Sequence, residues 1–372
     1  MTQKIEYTTV MSSLFSTCTY RCGYCTIAET GAVMDAQQLK PYKDVAFIQK
    51  ITDFFNRRTT DTKKWHLRLT GGEPLMMPNM PLFCENLFAK GNLVSMDTAL
   101  FFKPDYPNFK YLMGCDVTKF EHMMASFHPE AEDEEDHFFE KIRLLKSVGH
   151  QVIVRFVGHP KRLDMMPRIH DRCKELDVTF YPTALLSTSY PHAYTPEEKQ
   201  KLLNYTSSRS QLYLLEGSVE TSNAVCNSGS TGFAIDFVSG SISPCILVPG
   251  FVMGNLHEDR IEVNSGPKKC PQAGIACNSD VHYQHNFVVG ANDSDRFAEQ
   301  KRGYVAPLTP EEIDNILTAT FKKVLKFSTK RTNIGQVQDE NALIFTRDFV
   351  RSQYDLWKAK YYPQQASNND AQ

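Results

Sequence analysis

The sequence predicts an α/β fold in which strands form a parallel sheet, followed by a smaller cysteine-bearing hairpin region and a helical C-terminal segment. Strand-like and helix-like segments alternate through the first 185 residues, a pattern that implies parallel strands joined by right-handed crossovers. Four cysteines surround a hairpin pattern beyond residue 224, and residues from 309 to about 361 are amphipathic at helical spacing. About six strands fit the first region, which suggests a partial barrel or an open curved sheet.

The regular alternation of strands and helices lies in the first half of the chain. Strands are predicted at 7–15, 65–74, 92–96, 121–127, 151–158 and 178–186. Helices are predicted at 43–58, at 79–89, from the acidic stretch 130–136 onward, and at 164–175. Phe47, Ile51 and Phe54 recur at helical spacing in the first of these. The acidic stretch is interpreted as a solvated helix start, because acidic side chains complement the helix dipole there.

The second half changes character near residue 190. A capped helix is predicted at 195–205, and alternating apolar residues around a Ser239-Gly240 turn predict a β-hairpin over 232–245. Residues 278–306 are expected to be irregular, and the last ten residues to be frayed. The predicted divisions are listed in chain order: a core at 1–190, a linker helix at 191–223, a hairpin region at 224–306, a helical extension at 307–363 and a tail at 364–372.

Composition limits the classes of partner. The 372 residues include 41 Lys and Arg against 43 Asp and Glu, a net charge of −2 that gives no basic surface for nucleic acid or for a membrane. No apolar run reaches the roughly 18 residues of a spanning helix, and the first residues lack the features of a signal peptide. The sequence therefore predicts a cytoplasmic protein with reduced thiols. Its ten cysteines then indicate metal ligands or redox groups before disulfides.

The stretch CTYRCGYC places Cys18, Cys22 and Cys25 in a C-x3-C-x2-C pattern. Three thiolates can hold three irons of a [4Fe–4S] cube and leave the fourth iron without a protein ligand. Electron-carrier clusters and structural zinc sites usually have four protein ligands. The pattern therefore favours a cluster that binds a small chelating molecule. Gly23 would let the backbone pack tightly around it, and Tyr24 would shield one side from solvent.

This loop follows the first predicted strand, and Gly71, Gly72, Glu73 and Pro74 follow the second. Together the two motifs resemble the radical S-adenosylmethionine (SAM) superfamily over roughly residues 5–185. The resemblance implies a partial (β/α)6 barrel, with SAM bound to the open iron through its amino and carboxylate groups. It also implies that the glycine pair allows close backbone approach to the SAM amino group, and that Glu73 helps to orient that group.

Three polar residues in later strands are further candidates for SAM contacts. By similarity to the superfamily, Ser126 and His128 would meet the ribose or methionine part of SAM. Arg155 lies inside a predicted strand, where a charge is costly unless it is paired. Its partner would be either the SAM carboxylate or a buried Asp or Glu. The alternative for His128 is a simple turn residue before Pro129.

A second set of cysteines lies beyond residue 224: Cys226, Cys245, Cys270 and Cys277. The G-x4-C spacing from Gly240 and the MGNL stretch at 253–256 resemble the twitch/SPASM type of C-terminal extension, over about 224–280. The resemblance implies one auxiliary [4Fe–4S] cluster, because four thiolates match one cube. The six residues before Cys277 are a wider spacing than usual; without this ligand the auxiliary cluster would have an open iron. A structural zinc site and unligated thiols are the alternatives.

The remaining cysteines and two histidines are weaker candidates. Cys84, Cys115 and Cys173 are predicted to be buried apolar residues. Cys115 is the candidate hydrogen-atom donor to a substrate radical, because it stands just before a predicted strand. His282 and His285 lie near the second cysteine set, as candidate ligands or proton relays, with ordinary loop histidines as the alternative.

These observations predict an enzyme that cleaves SAM to methionine and a 5′-deoxyadenosyl radical, which then takes a hydrogen atom from a substrate carbon. Oxidation, crosslinking or epimerisation would follow, assisted by the auxiliary cluster and a reductant such as flavodoxin or ferredoxin. The expected substrate is a sugar, aminocyclitol or nucleoside; the alternative is a ribosomally made peptide. The small molecule is favoured because a cysteine motif beginning at residue 18 leaves no visible leader-binding domain before it. A non-enzymatic electron carrier or zinc-binding module is the alternative of another class.

Overall fold

The computed structural model describes residues 4–20, 22–25, 36–186, 194–216, 224–248, 250–270, 277, 279–316 and 318–319. Its central feature is a parallel sheet of six strands: β1 (Glu6–Ser13), β2 (Lys63–Thr70), β3 (Leu93–Thr98), β4 (Phe120–Phe127), β5 (Val152–Gly158) and β6 (Thr179–Ala184). Each strand pairs in parallel with the next one along the chain. This confirms the predicted parallel sheet in a mixed α/β fold.

The same sheet continues into the second half of the chain. Beyond β7 (Val225–Cys226), the strands β8 (Gly232–Asp236), β9 (Ser241–Ser243), β10 (Gly254–Asn255) and β11 (Arg260–Ile261) extend it outward from β1. β8 runs parallel to β1, and β8 and β9 form the predicted antiparallel hairpin. Gly240 has a φ of 74° in its turn, a conformation that favours glycine. β7 and β12 (Lys268–Lys269) form a separate antiparallel pair.

The helices are α1 (Val45–Asn56), α2 (Met80–Phe88), α3 (Pro107–Gly114), α4 (Glu135–Ser147), α5 (Met166–Glu175), α6 (Pro196–Leu203), α7 (Arg209–Glu216), α8 (Asp280–Gln284) and α9 (Ser294–Arg302). The expectation that 278–306 is irregular was wrong, because α8 and α9 lie there. Both helices are short, and α9 buries only Phe297 and Gln300, so its apolar periodicity is too weak to read from sequence. Residues 310–316 are helical, whereas most of the predicted helical extension, the tail and residues 187–193 lie outside the described residues.

The two faces of the parallel sheet differ in chemistry, because successive side chains of a strand point to opposite faces. Buried apolar residues such as Leu67, Leu69 and Phe156 belong to the main hydrophobic core. The opposite face, here called the polar face, carries these inward side chains of β2 to β5: His66, Arg68, Asp97, His122, Met124, Ser126 and Arg155. Contacts from α8 and α9 reach this polar face.

The described helices are too short or too polar to cross a membrane.

Candidate functional site

The cysteine loop follows β1 at the carboxyl edge of the parallel sheet. The Tyr42 hydroxyl donates a hydrogen bond to the Leu14 carbonyl (2.6 Å) and so fixes the chain where it leaves the strand. A turn is closed by the Cys25 amide, which donates to the Cys22 carbonyl at 3.0 Å. Cys22 is buried, and Cys18 packs against the same small cluster. The members of that cluster are Tyr20, Cys22 and Ala99, with Cys18, Tyr24 and Cys25 packed against them.

The glycine pair after β2 holds this loop by direct main-chain contact. The Gly72 amide donates to the Phe15 carbonyl at 2.6 Å, and the Glu73 amide donates to the Thr17 carbonyl at 3.0 Å. A Cβ atom on Gly72 would lie 1.8 Å from the Thr17 carbonyl oxygen, so no larger residue fits without moving the chain. The close approach at this position is therefore to the residues that lead into the cysteine loop.

The Glu73 carboxylate is buried and accepts three hydrogen bonds. One oxygen accepts from the Leu75 amide (3.0 Å) and the Thr98 hydroxyl (2.7 Å), and the other accepts from the Ala99 amide (2.7 Å). Burial raises the pKa of Glu73, while these three donors lower it. Glu73 thus joins the end of β2 to the end of β3, and a contact with the SAM amino group stays a prediction. Pro74 follows in a short 3₁₀ turn.

The cysteine loop brings two of its thiols near each other. Cys18 and Cys25 are close enough for charge repulsion: burial raises the pKa of Cys18, and Glu73 and Cys25 raise it further. Within the described part of the chain, no three cysteines bring their sulfurs within 4.8 Å of one another. Three cysteine thiolates are a donor set that suits a [4Fe–4S] cluster with one open iron.

Tyr24 and His128 meet beside this loop. The Tyr24 hydroxyl lies 2.9 Å from His128 Nδ1, and the two rings are stacked with centroids 6.1 Å apart. Arg162 donates to the same hydroxyl at 3.4 Å and to Glu132 at 2.6 Å. His128 also precedes a 3₁₀ turn that starts at Pro129. This position agrees with the alternative prediction that His128 is a turn residue. The structure thus brings together two of the residues predicted to lie near SAM.

Arg155 has carboxylate partners within the protein. Its guanidinium contacts Asp97 on β3 (3.3 Å) and Asp280 on α8 (3.0 Å). Asp97 also binds Arg68 of β2 at 3.0 Å. Burial would raise the pKa of Asp97, but the two guanidinium groups together hold it below its usual value. The buried-carboxylate alternative for Arg155 is therefore present, and its contact with SAM stays a prediction.

This ion-pair network connects the parallel sheet to the second cysteine region. Asp280 begins α8, three residues after Cys277, and Ser126 lies beside Arg155 in the β4–β5 register. Gln284 at the end of α8 accepts a hydrogen bond from Arg68 at 2.7 Å. The polar face is thus occupied by charges from both halves of the chain. Buried charges of this kind are costly to leave unpaired, so the network fixes α8 against the sheet.

The second cysteine set is gathered by the small β7–β12 sheet and the loop after β9. Cys226 pairs with Lys268 in that sheet, which brings Cys270 near it. Cys245 and Cys277 are buried. Burial raises the pKa of Cys277 well above its usual value, and the three other thiols raise it further because thiolate charges would repel. The four thiols are therefore neighbours, and four thiolates are a donor set for either a [4Fe–4S] cluster or a structural zinc ion.

His282 contacts the sulfur of Cys277. Its Nδ1 atom lies 3.1 Å from the Cys277 sulfur, and burial lowers the pKa of His282 to about 4. His285 lies elsewhere, with Nδ1 at 3.5 Å from the Thr9 hydroxyl. The structure thus brings one of the two candidate histidines to the second cysteine set.

The other three cysteines lie in the helical layer. Cys84 and Cys173 are fully buried in the hydrophobic core, as predicted. Cys115 follows α3 and hydrogen bonds weakly to the Leu112 carbonyl (3.5 Å), and burial raises its pKa to about 12. It precedes β4, so it lies at the amino edge of the sheet, opposite the cysteine loop. This position gives no support to its predicted role as a hydrogen-atom donor.

Asp97, Arg162 and Asp280 are among the residues of these networks that sequence reasoning missed. Asp97 could have been found, because Ser95 and Asp97 alternate with apolar residues in β3, which marks a polar face. Arg162 lies in a 3₁₀ segment without periodicity, and Asp280 lies in a helix of five residues. Their burial depends on tertiary contacts that no local pattern encodes.

No protein-family profile matches the chain, and no curated protein matches it. Among solved structures, it is similar to Streptococcus suis SuiB, at 15% identity and a TM-score of 0.45 over 66% of this chain and 61% of SuiB. It is also similar to native anSMEcpe with bound AdoMet, at 13% identity and a TM-score of 0.48 over 88% of this chain and 99% of that one.

A third similar structure is coproporphyrinogen III oxidase (HemN) from Escherichia coli, described as a radical SAM enzyme, at 15% identity and a TM-score of 0.40 over 54% of this chain and 51% of HemN. SuiB is also known bound to the precursor peptide SuiA. The chain spans 61–63% of the length of the SuiB chains that it matches.

Proposed function

We propose that this chain is a radical SAM enzyme in which Cys18, Cys22 and Cys25 hold a [4Fe–4S] cluster. The observation that carries the proposal is the packing of these three side chains in one cluster at the carboxyl edge of a parallel sheet. When bound, the cluster and SAM supply a 5′-deoxyadenosyl radical that takes a hydrogen atom from a substrate carbon. The protein's part is to bind, to orient and to exclude water.

We further propose that the six parallel strands curve into a partial (β/α)6 barrel with the polar face inside. Strands two positions apart in a flat sheet are separated by roughly 10 Å. On the polar face, Arg155 of β5 reaches Asp97 of β3 at 3.3 Å, and Arg68 of β2 lies 3.7 Å from the Met124 sulfur of β4. Long side chains bridge an intervening strand in a flat as well as in a curved sheet, so these contacts show that the polar groups converge, and the curvature is the proposal's own. A concave polar face would shelter a reactive radical from water.

The residues around the cysteine loop would form the SAM-binding site. The main-chain bonds from Gly72 and Glu73 hold the loop against the end of β2. Glu73 fixes the ends of β2 and β3 through Thr98 and Ala99. Tyr24 and His128 would cover one side of the bound cofactor. Ser126 and Arg155, on the polar face below, would be the contacts for its ribose or carboxylate.

Cys226, Cys245, Cys270 and Cys277 would hold one auxiliary [4Fe–4S] cluster. Their mutual proximity supports this assignment. Asp280 links this region to Arg155 on the polar face. The auxiliary cluster would therefore lie on the route by which an electron leaves a substrate radical. In this proposal the resulting reaction is an oxidation, and flavodoxin or ferredoxin is the reductant.

A polar small molecule is the proposed substrate, such as a sugar, an aminocyclitol or a nucleoside. The carboxylates and guanidinium groups of the polar face support it, because hydroxyl and amino groups of such substrates need charged or polar partners. Asp97, Asp280 and Arg155 are each partly accessible in this network, with side-chain exposures of 14%, 14% and 18%. They could exchange a protein partner for a substrate hydroxyl.

Modification of a ribosomally made peptide is the second candidate. Exposed apolar side chains near the auxiliary region favour it, because an extended peptide needs an apolar surface to bind. Phe251, Val252 and Val263 each expose more than half of their surface, at 55%, 59% and 58%. These residues lie on the hairpin side of the sheet, which would then form the peptide-binding surface.

Anaerobic reconstitution with iron and sulfide tests the proposed function. We expect about eight irons per chain and formation of 5′-deoxyadenosine from SAM and a reductant. Iron binding without 5′-deoxyadenosine would indicate an electron carrier, and a colourless protein that retains zinc would indicate a binding module; either result would refute the proposal. Deuterium transfer from labelled substrates into 5′-deoxyadenosine, compared between nucleosides or sugars and peptides, then decides between the substrate classes.

A further inference from the structure

A second polar cluster lies at the amino edge of the sheet, opposite the cysteine loop. It consists of His66 on β2 and Glu121 and His122 on β4. One nitrogen or oxygen from each of these side chains lies within 4.8 Å of the other two. His66 Nε2 is 3.8 Å from Glu121 Oε2, and His122 Nδ1 contacts the same oxygen. The three side chains thus converge on one point.

We propose that His66, Glu121 and His122 bind one divalent transition-metal ion of the zinc class. Two imidazoles and one carboxylate are common ligands for Zn²⁺, Fe²⁺ and Co²⁺. Ligand bonds of about 2.0–2.2 Å place ligand atoms roughly 3.3 Å apart in a tetrahedral site, so the observed separations need only small side-chain shifts. The site is independent of the proposed SAM chemistry and of both thiol sets.

The surroundings provide space and a further imidazole. A cavity of about 340 Å³ opens onto His66 and Glu121, and His285 lies in its wall. His285 Nε2 is buried and has no hydrogen-bond partner within the described part of the chain, whereas its Nδ1 faces Thr9. Its ring centroid is 5.3 Å from that of His66, but His285 is outside the group of three whose ligand atoms all lie within 4.8 Å of one another. The cavity leaves the remaining coordination positions to water or to a small ligand.

A metal ion at this site would compete with Lys301 for the Glu121 carboxylate. Its ammonium contacts Glu121 Oε1, while both histidines face Oε2 of the same carboxylate. The metal would therefore bind Oε2 and leave Oε1 to the lysine. It would also displace the Ser95 hydroxyl, which lies 2.8 Å from His66 Nε2. A nearby ammonium repels a metal cation, so removing Lys301 should strengthen binding.

Cobalt retention by the full, cluster-reconstituted chain tests the site, with Co²⁺ as the probe. After equilibration and desalting, we expect about one Co²⁺ per chain, and X-ray absorption at the cobalt edge with nitrogen and oxygen neighbours only. Glu121→Gln and His122→Ala should weaken binding by about tenfold or more. Lys301→Met should strengthen it, a change of sign that partial unfolding would not produce.

Two control variants distinguish the loss of a metal ligand from partial unfolding of the protein. His150→Gln changes a buried histidine outside the cluster, and His137→Ala changes an exposed one; both should retain cobalt like the parent protein. Iron content and thermal unfolding of every variant report whether it is folded. Sulfur neighbours in the cobalt spectrum, no retained cobalt in the parent chain, or equal retention after Glu121→Gln and Lys301→Met would each overturn the proposal.

Discussion

The two thiol sets of this protein differ in how the chain assembles them. Cys18, Cys22 and Cys25 lie within eight residues of one loop at the carboxyl edge of the parallel sheet, and they are here called the accessible set. The second set, here called the enclosed set, is spread from Cys226 to Cys277 and is drawn together by a small sheet and two loops. Each set combines buried and partly buried thiols, so the contrast is that one site is local and the other is tertiary.

In the proposed function this difference corresponds to different roles. A ligand such as SAM must reach the metal that it binds, so an accessible loop at the carboxyl edge of parallel strands suits it. An enclosed cluster suits electron transfer, because protein rather than water surrounds it. Four experiments test this division of roles.

Replacing a thiol of the accessible set should abolish SAM cleavage. In Cys22→Ala we expect the loss of about four irons per chain and a fall of 5′-deoxyadenosine formation to background, because two thiolates do not hold a cube. Iron analysis and chromatography of the SAM products measure both effects. Cys84→Ala, which removes a buried thiol from α2, is the control and should keep both. SAM cleavage in Cys22→Ala would mean that the cluster is held elsewhere.

Replacing a thiol of the enclosed set should reduce substrate conversion much more than SAM cleavage. In Cys277→Ala we expect SAM cleavage without substrate to stay within about threefold, because the accessible set is intact. Conversion of substrate should fall by about 100-fold, because the auxiliary site has lost a ligand. Cys173→Ala, another fully buried thiol, is the control. Equal loss of both activities would contradict the division of roles between the sets.

The contrast between a local site and a tertiary site also explains which features could be predicted from the sequence. The parallel sheet and the β8–β9 hairpin follow from strand–helix alternation, apolar periodicity and turn residues, and the structure confirms them. The three-cysteine loop was visible because its residues are adjacent in the chain. Asp280 and the His66–Glu121 cluster were not visible, because each depends on packing between elements that are distant in sequence.

A substitution in the glycine pair tests how firmly its contacts hold the cysteine loop. Gly72→Ala places a Cβ 1.8 Å from the Thr17 carbonyl oxygen, so the chain must separate there. We expect the free energy of unfolding to fall by about 1–3 kcal/mol, and iron to be lost faster from the reconstituted protein. Gly114→Ala is the matched control, because it lies outside the cysteine loop, at the end of α3, and no atom of the described residues lies within 4 Å of its Cβ position; it should cost less than about 0.5 kcal/mol. Equal effects from both variants would show that the contact between Gly72 and Thr17 does not hold the loop.

The smallest expected effect concerns Tyr24. Tyr24→Phe removes the hydroxyl that lies 2.9 Å from His128 Nδ1, which should cost about 1 kcal/mol of unfolding free energy. Tyr304→Phe removes a hydrogen bond of the same length to His170, far along the chain from the cysteine loop, and is the matched control. If the Tyr24–His128 pair covers bound SAM, the two variants lose similar stability, but only Tyr24→Phe raises the KM for SAM. An unchanged KM in Tyr24→Phe would leave the pair a purely structural role, and the accessible set would then be covered by other residues.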